Sequence, residues 1–212
     1  MRSKIPGGKL KQRGMNAFNE PSKFVTAELK IKRSIFIANL KPCHDEFQAR
    51  NFLNEIISLH HDANHNCRAY IFDSGREYFS DDGEPSGTAG RPILNAIKQS
   101  KILNVMIIVT RYFGGVKLGV RGLIDAYSEA AKTALNICEP VKKILTKNFK
   151  LSFEYNSMGL IKKIFEAHNA QNLKLEYLQR VNLNADVPAD EFENILKQLD
   201  ELNARGIIKY ES

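Results

Sequence analysis

The chain has 212 residues, 43% of them hydrophobic and 26% charged, with a formal net charge of +7. That length supports one large core or two modest ones, and two compact units are the expectation near this size. No apolar run reaches membrane length and no signal-peptide core is present, so a helical membrane protein is excluded and a soluble, cytoplasmic chain with no membrane partner is predicted.

The excess charge sits at the front. Residues 1–40 carry nine Lys/Arg against Glu20 and Glu28, whereas residues 41–212 carry 22 basic and 22 acidic side chains. Residues 1–20 read as a basic flexible tail, with five of the cations in the acid-free stretch 1–14. Such a tail suits RNA or ribosomal phosphate, and equally reads as an extension ahead of a start at Met15.

Residues 24–29 and 34–40 alternate as strands, with Lys30, Ile31, Lys32 and Arg33 near the turn between them. Asp45 caps a predicted helix to about residue 60, with Phe47, Phe52, Leu53, Ile56 and Ile57 on its inner side. Residues 67–73 form the next strand and lead through Ser74 and Gly75 into an acidic glycine-rich loop. A helix over 93–99, a strand over 105–110, a second glycine loop and an alanine-rich helix over 123–135 complete a two-layer α+β domain spanning 21–138. Residues 139–147, with Pro140, are the predicted linker. From residue 148 the order becomes strand (148–154), helix (capped by Ser157, with Leu160, Ile161, Ile164 and Phe165), strands (173–178 and 181–187), helix (from Asp190 to Leu202) and strand (207–210). This is a ferredoxin-like pattern over 148–212.

The chemistry concentrates in the two glycine loops. The first holds Asp81, Asp82, Gly83, Glu84, Pro85, Ser86, Gly87, Thr88, Gly90 and Arg91; the second holds Arg111, Tyr112, Phe113, Gly114, Gly115, Lys117 and Gly119. Glycines and prolines at this density exclude helix and central strand, and leave backbone amides near Thr88, Ala89 and Gly90 free to cradle an anion where the next helix begins. Three carboxylates oppose an anion unless a cation or Arg91, Arg111, Lys117 and Arg121 balance them. The plainer reading of the same letters is a demanding turn and an acidic loop paired internally with a basic one. Neither loop fits a P-loop, a dinucleotide fingerprint or a nucleophile elbow. His60, His61, Asp62, His65 and Cys67 match no closed zinc set, and Cys43, Cys67 and Cys138 are too few and too scattered for a disulfide framework. Tyr112, Phe113 and Tyr127 could stack on a base or fill core.

His65-Asn66-Cys67, the run from Ser80 to Pro92, and the run from Thr110 to Gly119 continuing through Gly122, Leu123, Ala126, Tyr127 and Ser128 closely resemble the signature of the YigZ/IMPACT family, in order and spacing. The resemblance runs from about Ser22 to Leu135, and the tail from Asn148 is similar to the second domain of bacterial members. It implies an N-terminal α+β domain like a small-subunit ribosomal protein and domain IV of elongation factor G, followed by a ferredoxin-like domain. The family pattern has a glycine where this chain has Arg121 and an arginine where it has Asp125.

The leading expectation is a non-enzymatic, translation-linked regulatory protein that binds RNA or the ribosome through Arg91, Arg111, Lys117, Arg121 and the basic N-terminus, with a protein partner in translational control as a further candidate. His65, Asn66, Asp81, Asp82, Glu84, Ser86, Gly87, Thr88, Gly90, Tyr112, Gly114 and Gly115 complete the candidate ligand site. No residue is singled out as catalytic or metal-ligating, and no cofactor is called for. The alternative is a phosphate- or nucleotide-binding enzyme in which Asp81, Asp82 and Glu84 hold a divalent cation and the amides of 86–90 cradle phosphate.

Overall fold

A computed structural model describes residues 17–211. The predicted tail over 1–20 therefore lies outside the described residues up to position 16, and its last residues are strand. The chain divides into two compact units, the first holding residues 18–143 and the second beginning at residue 144.

The first unit contains β1 (Ala17–Pro21), β2 (Val25–Ile31), β3 (Ser34–Pro42), α1 (Glu46–Leu59), β4 (His65–Ile71), β5 (Glu77–Ser80), α2 (Gly90–Ser100), β6 (Val105–Tyr112), α3 (Gly119–Ile137) and β7 (Pro140–Ile144). Five strands form a sheet in the order β2-β3-β6-β4-β5, every neighbour antiparallel. β6 lies at the centre, and its residues 105–111 are all buried, which explains an apolar run that does not alternate: both faces are covered. On one face α1 packs Ala49, Phe52 and Ile56 against Tyr70, Phe72, Met106 and Ile108. On the other, α2 and α3 pack on the sheet and on each other. Ala126, Ala130, Ala131 and Ala134 are each no more than 1% exposed, so α3 approaches as closely as its small residues permit.

Several expectations are corrected. Phe47 is 71% and Ile57 43% exposed, because α1 covers the sheet with a narrow stripe at i, i+3 and i+7 (49, 52, 56), and these two side chains fall outside it. The acidic loop is preceded by β5, an edge strand whose Glu77-Tyr78-Phe79-Ser80 lacks apolar alternation. α3 begins at Gly119, four residues before the expected start, since glycines at 119 and 122 read as loop although the helix tolerates them. The predicted linker contains β7, which pairs with β1 in a two-stranded sheet.

The second unit contains β8 (Thr146–Phe153), α4 (Met158–Ala167), β9 (Gln171–Tyr177), β10 (Val181–Pro188), α5 (Phe192–Ala204) and β11 (Tyr210–Glu211). Its antiparallel sheet has the order β11-β8-β10-β9. Phe149, Leu151 and Phe153 alternate inward to meet Ile161, Ile164, Phe165, Ile195 and Leu199 of the helices. Ser157 makes no side-chain cap; a 3₁₀ turn over Tyr155–Ser157 leads into α4 instead. Leu160 is 38% exposed, α5 starts at Phe192 rather than Asp190, and the closing strand is only two residues long.

Candidate functional site

The acidic loop is built around Asp81. One of its carboxylate oxygens accepts the amides of Ala89 (3.0 Å) and Gly90 (2.8 Å), and the other accepts that of Gly87 (2.9 Å). An aspartate thus occupies the N-terminus of α2 as an internal anion. Of the amides predicted to cradle phosphate over 86–90, those of Gly87, Ala89 and Gly90 are taken by Asp81 and that of Thr88 by the Pro85 carbonyl, which corrects that element of the alternative reading. Asp82, at φ 45°, accepts from the Asn66 amide (2.8 Å) and from Arg68 (3.3 Å), while its carbonyl takes the Nδ1–H of His65 at 2.8 Å. Thr88 donates its hydroxyl to the Pro85 carbonyl at 2.6 Å. Gly90 is required because a Cβ there would lie 2.6 Å from the Ser80 carbonyl oxygen.

Glu84 is directed inward, its side chain 4% exposed. One carboxylate oxygen accepts the Arg111 guanidinium at 2.6 Å and the Tyr127 hydroxyl at 2.8 Å, and His65 Nε2 stands 3.9 Å away. Arg111 also approaches the Ser34 hydroxyl at 3.4 Å. Its guanidinium lies 5.5 Å from the Phe36 ring and 5.3 Å from that of Phe113. The acid–base contact between the two loops is therefore real, as the plainer reading anticipated, but it is buried. Burial, then the Cys67 thiol and Glu84, push the Tyr127 phenol far up. Burial likewise pushes Cys67 up to about 12, opposed by a hydrogen bond with Tyr127. Neither group is an available nucleophile near neutral pH.

Beside this network lies an open cleft of about 450 Å³, lined by Asn64, His65, Glu84, Pro85, Arg111, Phe113, Lys117, Leu118, Gly119, Val120 and Leu123. Four predicted site residues meet there: His65, Glu84, Arg111 and Lys117. α3 begins at this cleft with no side-chain cap and no acid in its first turn, in contrast to the Asp81-filled start of α2. Asn66, Asp81, Asp82, Gly87, Thr88 and Gly90 serve the loop's own architecture, and Ser86 is exposed. Arg91 lies over the Phe79 ring at 5.0 Å. Tyr112 projects to the α1 face, where its hydroxyl meets His60 (2.9 Å) and Asp62 (3.1 Å); strand alternation puts it opposite Arg111. Gly114 passes the Arg33 backbone so closely that a Cβ would lie 1.9 Å from its carbonyl oxygen, and Gly115 takes φ 79°. Arg121 is exposed on α3 outside the cleft lining. Asn64 and Val120 were not foreseen. Asn64 accepts the Phe113 amide at 2.7 Å, a side-chain turn that residue type alone does not reveal.

Among the described residues there is no group of three or more His, Cys, Asp or Glu placed to hold a metal, no helix long and apolar enough to cross a membrane, and Cys43, Cys67 and Cys138 are buried free thiols.

Residues 32–135 match the family model of the Impact N-terminal domain. The chain is 36% identical over 169 residues to IMPACT family member YvyE of Bacillus subtilis (strain 168), covering 74% of this chain and 78% of that protein. It is 32% identical over 192 residues to an IMPACT family member of Haemophilus influenzae, covering 89% and 93%. A crystal structure described as that of a hypothetical protein is similar with a TM-score of 0.67 and 30% identity, covering 93% of this chain and 98% of that one. Carrying the family's domain around the Asp81 clamp and the Glu84–Arg111 pair, this chain belongs to the IMPACT family.

Proposed function

We propose that the chain is a non-enzymatic, translation-linked regulatory protein of the cytoplasm that binds RNA, free or on the ribosome, through the cleft of its first unit. Family membership supplies the translation context. The observation that carries the binding reading is the uncapped, acid-free start of α3, opening onto a cleft with the exposed Lys117 and the 44% exposed Phe113 ring. Helix amides and a lysine attract phosphate, and an exposed ring offers a base a stacking face. The absence of catalysis is supported by Cys67 and Tyr127, both held protonated by burial, and by a Glu84 already committed to Arg111 and Tyr127. Arg111, 5% exposed, organises the cleft instead of meeting RNA as a free surface cation, a role that passes to Lys117. The strand order β11-β8-β10-β9 supports a ferredoxin-like second domain, and a protein partner in translational control is compatible with this arrangement.

The test is fluorescence anisotropy of single-stranded RNA with the full chain across 50–200 mM salt. Affinity is expected to fall steeply with salt, and Lys117→Ala is expected to weaken binding and flatten the log K against log[salt] slope by about 0.7. Salt-independent binding, or a slope unchanged by Lys117→Ala, would overturn the proposal.

A further inference from the structure

The cleft is bordered on one side by cations that no carboxylate of the chain offsets. Lys32 and Arg33 form the two-residue turn between β2 and β3, since Ile31 pairs with Ser34 across it, and both are exposed. Lys32 takes φ 52° at the first position of a tight hairpin, where glycine is the residue the backbone favours. The turn is held beside the cleft by Gly114, which follows the cleft-lining Phe113. The Gly114 amide donates to the Ser34 hydroxyl at 3.3 Å, and a Cβ at Gly114 would lie 2.4 Å from that of Arg33. The two segments that meet here, 29–40 and 111–124, contain no Asp or Glu. Among the described residues, Lys32, Arg33, Lys117 and Arg121 make no ion pair; Glu28 stands 3.6 Å from Lys30, and Glu84 is buried against Arg111. The other side of the cleft, at Asn64 and His65, is bordered by the exposed Asp62 and by Asp82, whose side chain is 39% exposed.

We infer that RNA bound in the cleft leaves it past Gly114 and is held on the β2–β3 turn, with Lys32 and Arg33 taking its phosphates and Phe113 a base. This rests on the reading of the cleft as the RNA site and extends that site to a second element. A strand with one base on Phe113 continues away from it, and its backbone carries a charge at every step. Toward Asp62 and Asp82 that charge meets carboxylates; toward Lys32 and Arg33 it meets cations unpaired within the chain. Two exposed cationic side chains on a hairpin suit phosphate contacts that hold a strand in register without reading its sequence. The strand is single, because Phe113 stacks only on a base that is free of a duplex. The ligand chemistry is thus single-stranded RNA of no fixed sequence, long enough to reach from the cleft to the turn.

The experiment is fluorescence anisotropy of single-stranded RNA with the full chain across about 50–200 mM salt. Lys32→Gly with Arg33→Gln is the informative variant: glycine relaxes a positive φ and Arg33 is exposed, so lost affinity does not reflect a lost fold. Lys101→Gly with Arg50→Gln is the matched control. Lys101 also takes a positive φ, 58°, just after α2; Arg50 is exposed on α1; and neither lines the cleft. The turn variant is expected to flatten the log K against log[salt] slope by about 1.4, two phosphates at about 0.7 each, and the control to leave it unchanged. A slope flattened by Lys117→Ala but not by the turn variant would overturn the extension and leave the cleft reading standing. No RNA binding by the unaltered chain would overturn both. Equal flattening by the turn variant and the control would overturn the inference, since net charge alone then explains the effect. Poly-L-glutamate bound as tightly as RNA, and as sensitive to the turn variant, would overturn it in favour of an acidic protein segment.

Discussion

Arg111→Met tests the buried pair directly. The substitution keeps an unbranched side chain of similar reach but strands Glu84, whose carboxylate is 4% exposed, with the Tyr127 hydroxyl as its remaining close donor. Removing one member of a buried ion pair costs about 3–5 kcal/mol, far more than the pair itself contributes relative to an apolar replacement. The ring contacts with Phe36 and Phe113 are lost as well, at about 0.5–1 kcal/mol each. Arg111→Met with Glu84→Gln removes both charges while leaving the Tyr127 hydroxyl an acceptor, and is expected to recover at least about half of the loss. The chain has two compact units, so a whole-chain denaturation curve does not by itself assign a loss to the first of them. Hydrogen exchange of the β6 amides over 105–112 isolates the unit concerned. A single-variant cost under about 1 kcal/mol, or a double variant opening as readily as the single one, would refute the account of Glu84 and Arg111 as a dependent pair.

Two further predictions follow from packing and titration. Gly114→Ala would put a Cβ 1.9 Å from the Arg33 carbonyl oxygen, whereas at Gly115 the added methyl meets open space and only the φ of 79° opposes it. Gly114→Ala is therefore expected to cost about 2–3 kcal/mol and Gly115→Ala about 1, and equal melting temperatures by circular dichroism would contradict this. Burial, then the Glu46 carboxylate, raises Tyr70 to about 12, and burial, then Asp200, does the same for Tyr210. Unfolded phenols ionise near 10, so the stabilisation is intact below about pH 10 and lost as pH rises through 12. Urea midpoints followed between pH 9 and 12 are expected to fall over that interval; a flat or rising profile would show that the two phenols ionise as freely in the folded chain.

The sequence made the elements legible wherever burial leaves a periodic trace. β3, β10 and the α4 core positions follow from alternation and from 3.6-residue spacing, and Ala126, Ala130 and Ala134 announced a closely packed helix. It failed where contact with a distant segment decides. β5 has no apolar rhythm because it is an edge, and β7 is exposed along its whole length and is a strand only because β1 lies beside it. The site was legible as two loops, but not in its division of labour. Nothing in Asp-Asp-Gly-Glu tells which acid turns back onto its own amides and which faces a distant arginine, nor that Asp82 and Gly83 between them take φ 45° and 87°. Ending β6 at Thr110 likewise hid the alternation that separates Arg111 from Tyr112, since two further residues of strand are needed to send them to opposite faces.

Arg121 shows how the two glycine loops differ in kind. A cation in the first turn of a helix works against the helix dipole by about 0.3–1 kcal/mol, and the family pattern has glycine there and arginine where Asp125 stands. Asp125, four residues on and also exposed, offsets a few tenths of a kcal/mol at best. At the start of α2 the chain resolved the same electrostatic demand from within, by supplying Asp81 to three amides. At the start of α3 it supplied no acid and added a cation. A helix start without a side-chain cap, with Lys117 just before it and Arg121 in its first turn, is unfavourable for the helix dipole. The two helix starts therefore differ in kind: α2 takes its anion from Asp81, and α3 takes none from its own first turn.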